Sequence, residues 1–189
     1  MDDPAAEFVT GGGRVDSPAG AYVPDPSMTG SANFGFVAKY KKGQQTPDGQ
    51  TQFRFQAADL NFHSTSYDWL VVAGTRAQFK GLGELNGAFG SDGISGYSFL
   101  LTAVDGEQNG GGGTDAFRMK IVDKANGALV YDSGLGAGDD LDDDGPMLSL
   151  SGGSITIHSQ GGRNSGLPHP RLGAAPACLS HRGDHGLGA

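Results

Sequence analysis

The chain has 189 residues, of which 37% are hydrophobic, and a formal net charge of -8. That length suits one domain with one core, and the acidic balance excludes the basic surface by which proteins bind nucleic acid. No apolar run approaches the roughly 20 residues of a transmembrane helix, so we expect no membrane span. The 34 glycines show no collagen-like period and indicate turns, bulges and loops.

The N-terminal residues 1–7 lack the basic and apolar regions of a signal peptide. We expect them to be a leader or added residues ahead of a single β domain at residues 8–159, so an exported protein would have lost its signal already. The one cysteine, Cys178, lies outside that domain. The domain is therefore expected to contain neither a disulfide nor a cysteine metal site.

Alternating apolar and polar residues predict a hairpin early in the domain. Apolar side chains alternate with polar ones across residues 33–41, as in a half-buried strand. Pro47-Asp48-Gly49 supplies turn residues, and the alternation resumes across residues 52–56. We expect these two strands to pair.

The apolar phase changes within the next predicted strand. Leu60 and Phe62 occupy even positions, whereas the later apolar residues occupy odd ones: Tyr67, Trp69 and Val71. A bulge or bend near residues 64–66 accounts for the switch, because one inserted residue reverses the facing of every later side chain.

The remaining strands complete an all-β pattern without helical periodicity. Further strands are predicted at 77–85, 97–104, 116–122, 128–131 and 148–157, and Asn86-Gly87 and Asn126-Gly127 are typical of two-residue hairpin turns. Sequential hairpins predict an antiparallel meander that closes as a β-sandwich, with a β-barrel as the alternative. Residues 160–189 show no alternation and many glycines and prolines, which is typical of a disordered or extended tail.

The strongest local signal for a metal site is the acidic segment 140–145. It has the pattern D-x-D-x-D-G, in which alternate carboxylates converge on a hard cation such as calcium. Ser151 replaces the bidentate glutamate of an EF-hand and no helices flank the segment, so an EF-hand is excluded. A structural calcium loop and a solvated acidic loop both stay open. The calcium ligands would be Asp140, Asp142 and Asp144, with Asp139 or a backbone carbonyl completing the shell.

Three weaker patterns have both a functional and a structural interpretation. Residues 105–109 with Asp115 would form either a second ion site or a flexible hairpin connection. Tyr67 and Trp69 would form either a sugar-stacking platform or part of the core. His63, Ser66 and Asp68 are the residue types of a catalytic triad. Strand geometry disfavours such a triad, because it places His63 on the other face from Ser66 and Asp68.

Several segments resemble the post-COAP (post choice-of-anchor) module of bacterial secreted proteins. They span about residues 9–158 and read GGGRVDSPAGAY at 11–22, ANFGFVAKYKKG at 32–43, LNFHS at 60–64, YDWLVV at 67–72, DAFRMKI at 115–121, VYD at 130–132 and GGSITIH at 152–158. The resemblance implies a secreted, cell-surface or matrix setting. The resemblance does not identify any catalytic residues in this chain.

These patterns favour a non-catalytic secreted module that binds calcium for stability and contacts a cell surface, a matrix or carbohydrate. Its partner would be a surface polysaccharide or an extracellular protein, and not nucleic acid. The alternative is a small extracellular metal-assisted hydrolase acting on an ester, a lactone or a glycoside.

Overall fold

The computed structural model describes residues 8–41, 43–107, 113–141 and 145–158. Within these ranges the regular structure is all β apart from one 3-10 turn, Gln56–Ala58, which confirms the predicted fold class. None of the described residues belongs to a helix with the length and apolarity that a membrane crossing needs. The strands are β1 Phe8–Ser17, β2 Gly30–Lys39, β3 Asp48–Phe55, β4 Leu60–Ala73, β5 Arg76–Leu85, β6 Tyr97–Val104, β7 Ala116–Asp123, β8 Leu129–Asp132, β9 Leu148–Ser149 and β10 Gly152–His158.

The strands form one antiparallel sheet that follows the chain from β1 to β8. Its order is β10-β1-β2-β3-β4-β5-β6-β7-β8, and the short β9 pairs with β7. The predicted meander is therefore confirmed. Within the described ranges β8 and β10 do not pair with each other, so the sheet stays open.

The sheet folds over so that its two halves face each other across an aromatic core. Phe34 of β2 stacks on Phe117 of β7 with ring centroids 4.1 Å apart, and Phe53 of β3 lies 4.8 Å from Tyr131 of β8. These rings and their aliphatic neighbours bury the inner faces of both halves. The arrangement is that of a sandwich made from one continuous sheet.

The facing of β2 and β3 follows the predicted alternation. Phe34 and Phe36 are buried on β2, and Phe53 and Phe55 are buried on β3. The intervening polar residues, such as Arg54, are exposed on the outer face. The register confirms that the two predicted strands pair. The prediction that Asp48 and Gly49 belong to the turn is wrong, because both lie in β3, opposite Lys39 and Ala38.

Strand β4 contains two irregularities instead of the single predicted one. The first lies between Ser64 and Ser66, as predicted, and the second lies between Tyr67 and Trp69. The second inserted residue again reverses which side chains of β4 face the core. The prediction that Tyr67, Trp69 and Val71 share one face is therefore wrong, as the exposed fractions show: 6% for Tyr67, 3% for Leu70 and 45% for Val71.

The two predicted hairpin turns differ in the structure. Asn86 and Gly87 both have positive φ, and Leu85 and Ala88 exchange two backbone hydrogen bonds of 2.9 Å, which confirms a two-residue turn. At the second turn only Gly127 has positive φ, and the Asp123 N–H donates to the Ala128 carbonyl at 2.8 Å. Because the loop there has four residues, the predicted two-residue turn is wrong at this position.

Candidate functional site

The outer face of β4–β7 carries a groove of about 340 Å³ that includes the only tryptophan of the chain. One row of residues crosses the four strands in register: Trp69, Lys80, Leu100 and Lys120. Ser98 and Val122 form a neighbouring row beside it. We call this surface the Trp69 groove.

Trp69 reaches this groove because of the second irregularity in β4. Tyr67 points into the core, and the register shift that follows lets Trp69 pair with Lys80 on the outer face. The indole is partly exposed. The interpretation of Tyr67 and Trp69 as one aromatic platform is therefore wrong, and so is the interpretation of Trp69 as a core residue. Trp69 alone remains as an outer aromatic surface.

The floor of the groove is apolar although it lies outside the core. Leu100 is 9% exposed, yet its chain neighbours Phe99 and Leu101 are the residues that point into the core cluster. Leu100 is thus covered from the outer side of the sheet, by the side chains of the groove. An aromatic wall beside an apolar floor is typical of small-ligand sites.

Asp139 forms the opposite wall and is held there by an ion pair and a backbone hydrogen bond. Its carboxylate lies 2.7 and 2.9 Å from the Lys120 Nζ, and its carbonyl accepts a hydrogen bond of 2.8 Å from the Gln78 Nε2. Arg118 fixes the chain just before it by donating to the Ala137 carbonyl at 2.9 Å.

A buried ion pair positions this whole segment. The Arg118 Nε and Nη2 each lie 3.2 Å from a carboxylate oxygen of Asp132. Asp132 in turn accepts hydrogen bonds from the N–H groups of Gly134 and Gly136, at 2.8 and 3.1 Å. Both charged side chains are buried, which gives the loop after β8 a defined path along the edge of the groove.

The charge of the groove is opposite to that of the chain. Among the described residues, three lysines line it against one carboxylate, that of Asp139: Lys80, Lys120 and Lys124. The protein as a whole has a formal net charge of -8. A local excess of positive charge on an acidic protein favours an anionic ligand at this position.

Of the predicted calcium ligands, the structure describes only Asp140, whose side chain is exposed. Asp142 and Asp144 lie outside the described residues. The predicted supplementary ligand Asp139 already binds Lys120 and Gln78. Among the described residues no group of three or more His, Cys, Asp or Glu side chains is placed to hold a metal. The calcium loop therefore stays a prediction.

The acidic residues of the β6–β7 connection have a structural role. Asp115 accepts hydrogen bonds from the N–H groups of Gly106 and Ile155, at 2.8 and 2.7 Å. Asp105 accepts one of 3.0 Å from the Ile157 N–H. Both carboxylates are buried, and they satisfy the outward amides of β10. Residues 108–112 lie outside the described residues, so the ion site and the flexible connection both stay predictions.

The three candidate triad residues are not assembled. Within the described ranges no hydrogen bond joins His63, Ser66 or Asp68 to another of them. Ser66 and Asp68 are exposed, whereas His63 lines a separate groove on β2–β4. The structure therefore supports the interpretation of these residues as ordinary polar positions on a strand.

Sequence reasoning singled out Trp69 and, as a calcium ligand, Asp139, but it assigned no functional role to the other residues that line the Trp69 groove: Lys80, Ser98, Leu100, Lys120, Val122 and Lys124. One signal for them was present, because the unbroken apolar run Phe99-Leu100-Leu101 places one leucine on the outer face of any strand. The lysines carry no comparable signal, since lysine on an outer face is ordinary.

The chain matches no family model, no curated protein and no solved structure. The resemblance to the post-COAP module therefore stays a prediction that rests on the segments quoted above.

Proposed function

We propose that this protein is a non-catalytic, secreted or cell-surface β-sandwich module that binds an acidic polysaccharide in the Trp69 groove. The observation that carries the proposal is the half-buried Trp69 on the outer face, in the same groove as the apolar Leu100. An exposed indole stacks on the apolar face of a sugar ring, and its flat surface loses little conformational entropy on binding.

The polar groups of the groove extend this proposal to the charge of the ligand. Lys80 and Lys124 are exposed at the groove, whereas Lys120 is paired with Asp139. The first two are therefore available for carboxylate or sulfate groups of a polysaccharide. Charged contacts of this kind weaken with salt, because the Debye length falls to about 8 Å at physiological ionic strength.

Trp69 provides its own reporter, since it is the only tryptophan. We expect the intrinsic fluorescence of the full chain to change on titration with acidic polysaccharides such as alginate, polygalacturonate or a sulfated glycan, and to change less with a neutral glucan. Trp69→Ala is expected to weaken binding at least about tenfold, or ~1.4 kcal/mol, as measured by calorimetry.

Val71→Ala is the matched control for this substitution, because Val71 is an exposed apolar residue of the same strand outside the groove. It is expected to leave affinity unchanged. Equal affinity of the Trp69→Ala and Val71→Ala proteins for the best acidic polysaccharide would refute the proposed site.

The structural calcium loop is a separate part of the proposal. It is supported by the alternate carboxylates of residues 140–144 and by the defined path of the chain up to Leu141, whose carbonyl accepts a hydrogen bond of 3.1 Å from Arg76. Calcium is expected to raise the melting temperature and a chelator to lower it. Asp142→Asn is expected to remove most of that difference, and identical melting curves with calcium and with chelator would exclude the loop as a calcium site.

A further inference from the structure

A second groove, of about 460 Å³, lies on the outer face of β2–β4. Two rows of residues cross these strands in register. One row is Asn33, Arg54 and Asn61, and the other is Gly35, Gln52 and His63. Gln56, just beyond β3, lines the groove as well. We call this surface the amide groove because four of its side chains are carboxamides.

Gly35 leaves the floor of the amide groove open. A Cβ atom built at Gly35 would have no other atom within 4 Å. Its φ is not positive, and neither a turn nor a close backbone contact requires glycine there. A larger side chain at this position is therefore compatible with the strand but would occupy the groove.

Several polar side chains around this floor have no partner among the described residues. In the part of the chain that the structure describes, the side chains of Gln52, Arg54 and His63 form no hydrogen bond or ion pair. The amides of Asn33 and Gln56 likewise have no internal partner there. Each carboxamide offers two donors and one acceptor, so neighbouring amides can pair with vicinal hydroxyl groups, which are also both donors and acceptors.

The charge of the amide groove selects among hydroxylated ligands. Arg54 is its one formal charge, and no Asp or Glu belongs to the lining residues. A guanidinium binds a carboxylate through two parallel N–H···O contacts, a geometry that neutral hydroxyls do not reproduce. The combination of several amides and one arginine thus matches a polyhydroxylated ring that carries one carboxylate.

We propose that the amide groove is a second saccharide site, which takes a uronic acid residue of an acidic polysaccharide. Arg54 binds the carboxylate, the carboxamides bind the ring hydroxyls, and Gly35 provides the space for the ring. This site lies on strands that the Trp69 groove does not use, apart from β4. The module is therefore bivalent if both sites act, and the second site does not depend on the first.

The test uses the full chain and separates the two grooves by substitution. In a Trp69→Ala background, calorimetry with short galacturonate, glucuronate and mannuronate oligosaccharides reports the amide groove alone. At least one of these is expected to bind, and the matching neutral oligosaccharide is expected to bind at least about tenfold more weakly. Gly35→Val and Arg54→Gln, each added separately, are expected to reduce affinity for the uronate by at least about tenfold.

Gly152→Val is the matched control for the glycine substitution. A Cβ atom at Gly152 also has no other atom within 4 Å, its φ is not positive, and it lies at the start of β10 outside both grooves. Melting curves of all variants show whether the fold is retained.

Three results would overturn the second site: no uronate binding in the Trp69→Ala background, equal affinity for uronate and neutral oligosaccharides, or equal effects of Gly35→Val and Gly152→Val. Failure of the Trp69 groove has a different signature: the fluorescence of Trp69 in the wild-type chain does not change on titration with acidic polysaccharide, and Trp69→Ala does not alter the affinity measured by calorimetry. The two proposals can therefore fail independently.

Discussion

At the scale of single residues, Arg118 joins a carboxylate and several backbone carbonyls through one guanidinium. Its guanidinium binds the carboxylate of Asp132 and also donates to the carbonyls of Ala137 and Gly138. It is 5% exposed and Asp132 is 2% exposed. The pair is therefore a buried connection between β7 and the loop that carries Asp139 to the Trp69 groove.

Removing one member of this pair is expected to be costly. Asp132→Asn removes the buried counter-charge of Arg118 and leaves only the exposed Asp139 carboxylate, 3.5 Å from the guanidinium. Loss of a buried partner typically destabilises a protein by about 3–5 kcal/mol. Urea unfolding measures the loss. The matched control is the exposed ion pair between Lys41 and Asp48, where Lys41→Ala is expected to leave the urea midpoint unchanged. Similar midpoints for the two variants would contradict the structural role of the buried pair.

At the scale of elements, β4 shows what the sequence could and could not predict. Its first irregularity was predictable because the apolar phase visibly changes between Phe62 and Tyr67. The second was hidden, because Trp69, Leu70, Val71 and Val72 are all apolar and fit either phase. Only the pairing with β5 decides which of them face the core, and that is a tertiary property.

The candidate grooves were unpredictable for the same reason. Each groove is built from residues that lie opposite one another on three or four strands, so its composition depends on register. The sequence predicted most strands and one tight turn, but no pairing partner for Lys80 or Arg54 follows from alternation alone. Trp69 was a candidate from the sequence, whereas its face and its neighbours came only from the structure.

The facing of β4 has a direct consequence for stability. Leu70 is 3% exposed and Val71 is 45% exposed. Leu70→Ala is therefore expected to cost about 2–5 kcal/mol, whereas Val71→Ala is expected to change stability by less than about 0.5 kcal/mol. Chemical denaturation of the two variants measures both values. If Val71→Ala were more destabilising than Leu70→Ala, Trp69 and Val71 would be the residues of β4 that face the core.

At the scale of the whole molecule, both edges of the sheet are covered. On the β8 side, the Asp132 N–H donates to the Ala21 carbonyl and the Val23 N–H donates to the Val130 carbonyl, at 2.8 and 3.0 Å. On the β10 side, two buried carboxylates accept the outward amides of Ile155 and Ile157. Covered edges protect an open sheet against pairing with other chains.

Tyr131 connects the two halves of the sandwich and makes its stability sensitive to alkaline pH. Burial raises the pKa of Tyr131 from 10.0 to about 12, although a hydrogen bond with Ser17 opposes the shift, and the nearby Asp132 charge adds to it. A raised pKa in the folded state means that stability is fully present below pH 10 and declines as pH rises towards about 12.

The size of this alkaline loss can be measured. The pKa shift of Tyr131 from 10.0 to about 12 corresponds to a loss of roughly 3 kcal/mol in the free energy of unfolding. Denaturation at a series of pH values between 9 and 12 is expected to show a steeper decline for the wild type than for Tyr131→Phe, in which this phenol cannot ionise. Parallel declines in the two proteins would contradict the assignment.

The first and last strands of the described chain, β1 and β10, pair with each other. Phe8 of β1 lies opposite His158 of β10, and their rings stack with centroids 4.6 Å apart. Ile155 and Ile157 of β10 are both 2% exposed, within the core. Strand β10 thus covers the outer edge of β1 and completes one layer of the sandwich.

Two truncations test whether the folded unit ends with this strand. Removal of residues 160–189 is expected to leave the melting temperature and the fluorescence of Trp69 unchanged, because β10 ends at His158. Extending the deletion to residue 152 removes Ile155 and Ile157 from the core and uncovers the edge of β1, so we expect loss of the cooperative transition. Circular dichroism during heating measures both. A lower melting temperature after the shorter truncation alone would show that residues beyond 159 contribute to the fold, and the domain boundary would then lie further along the chain.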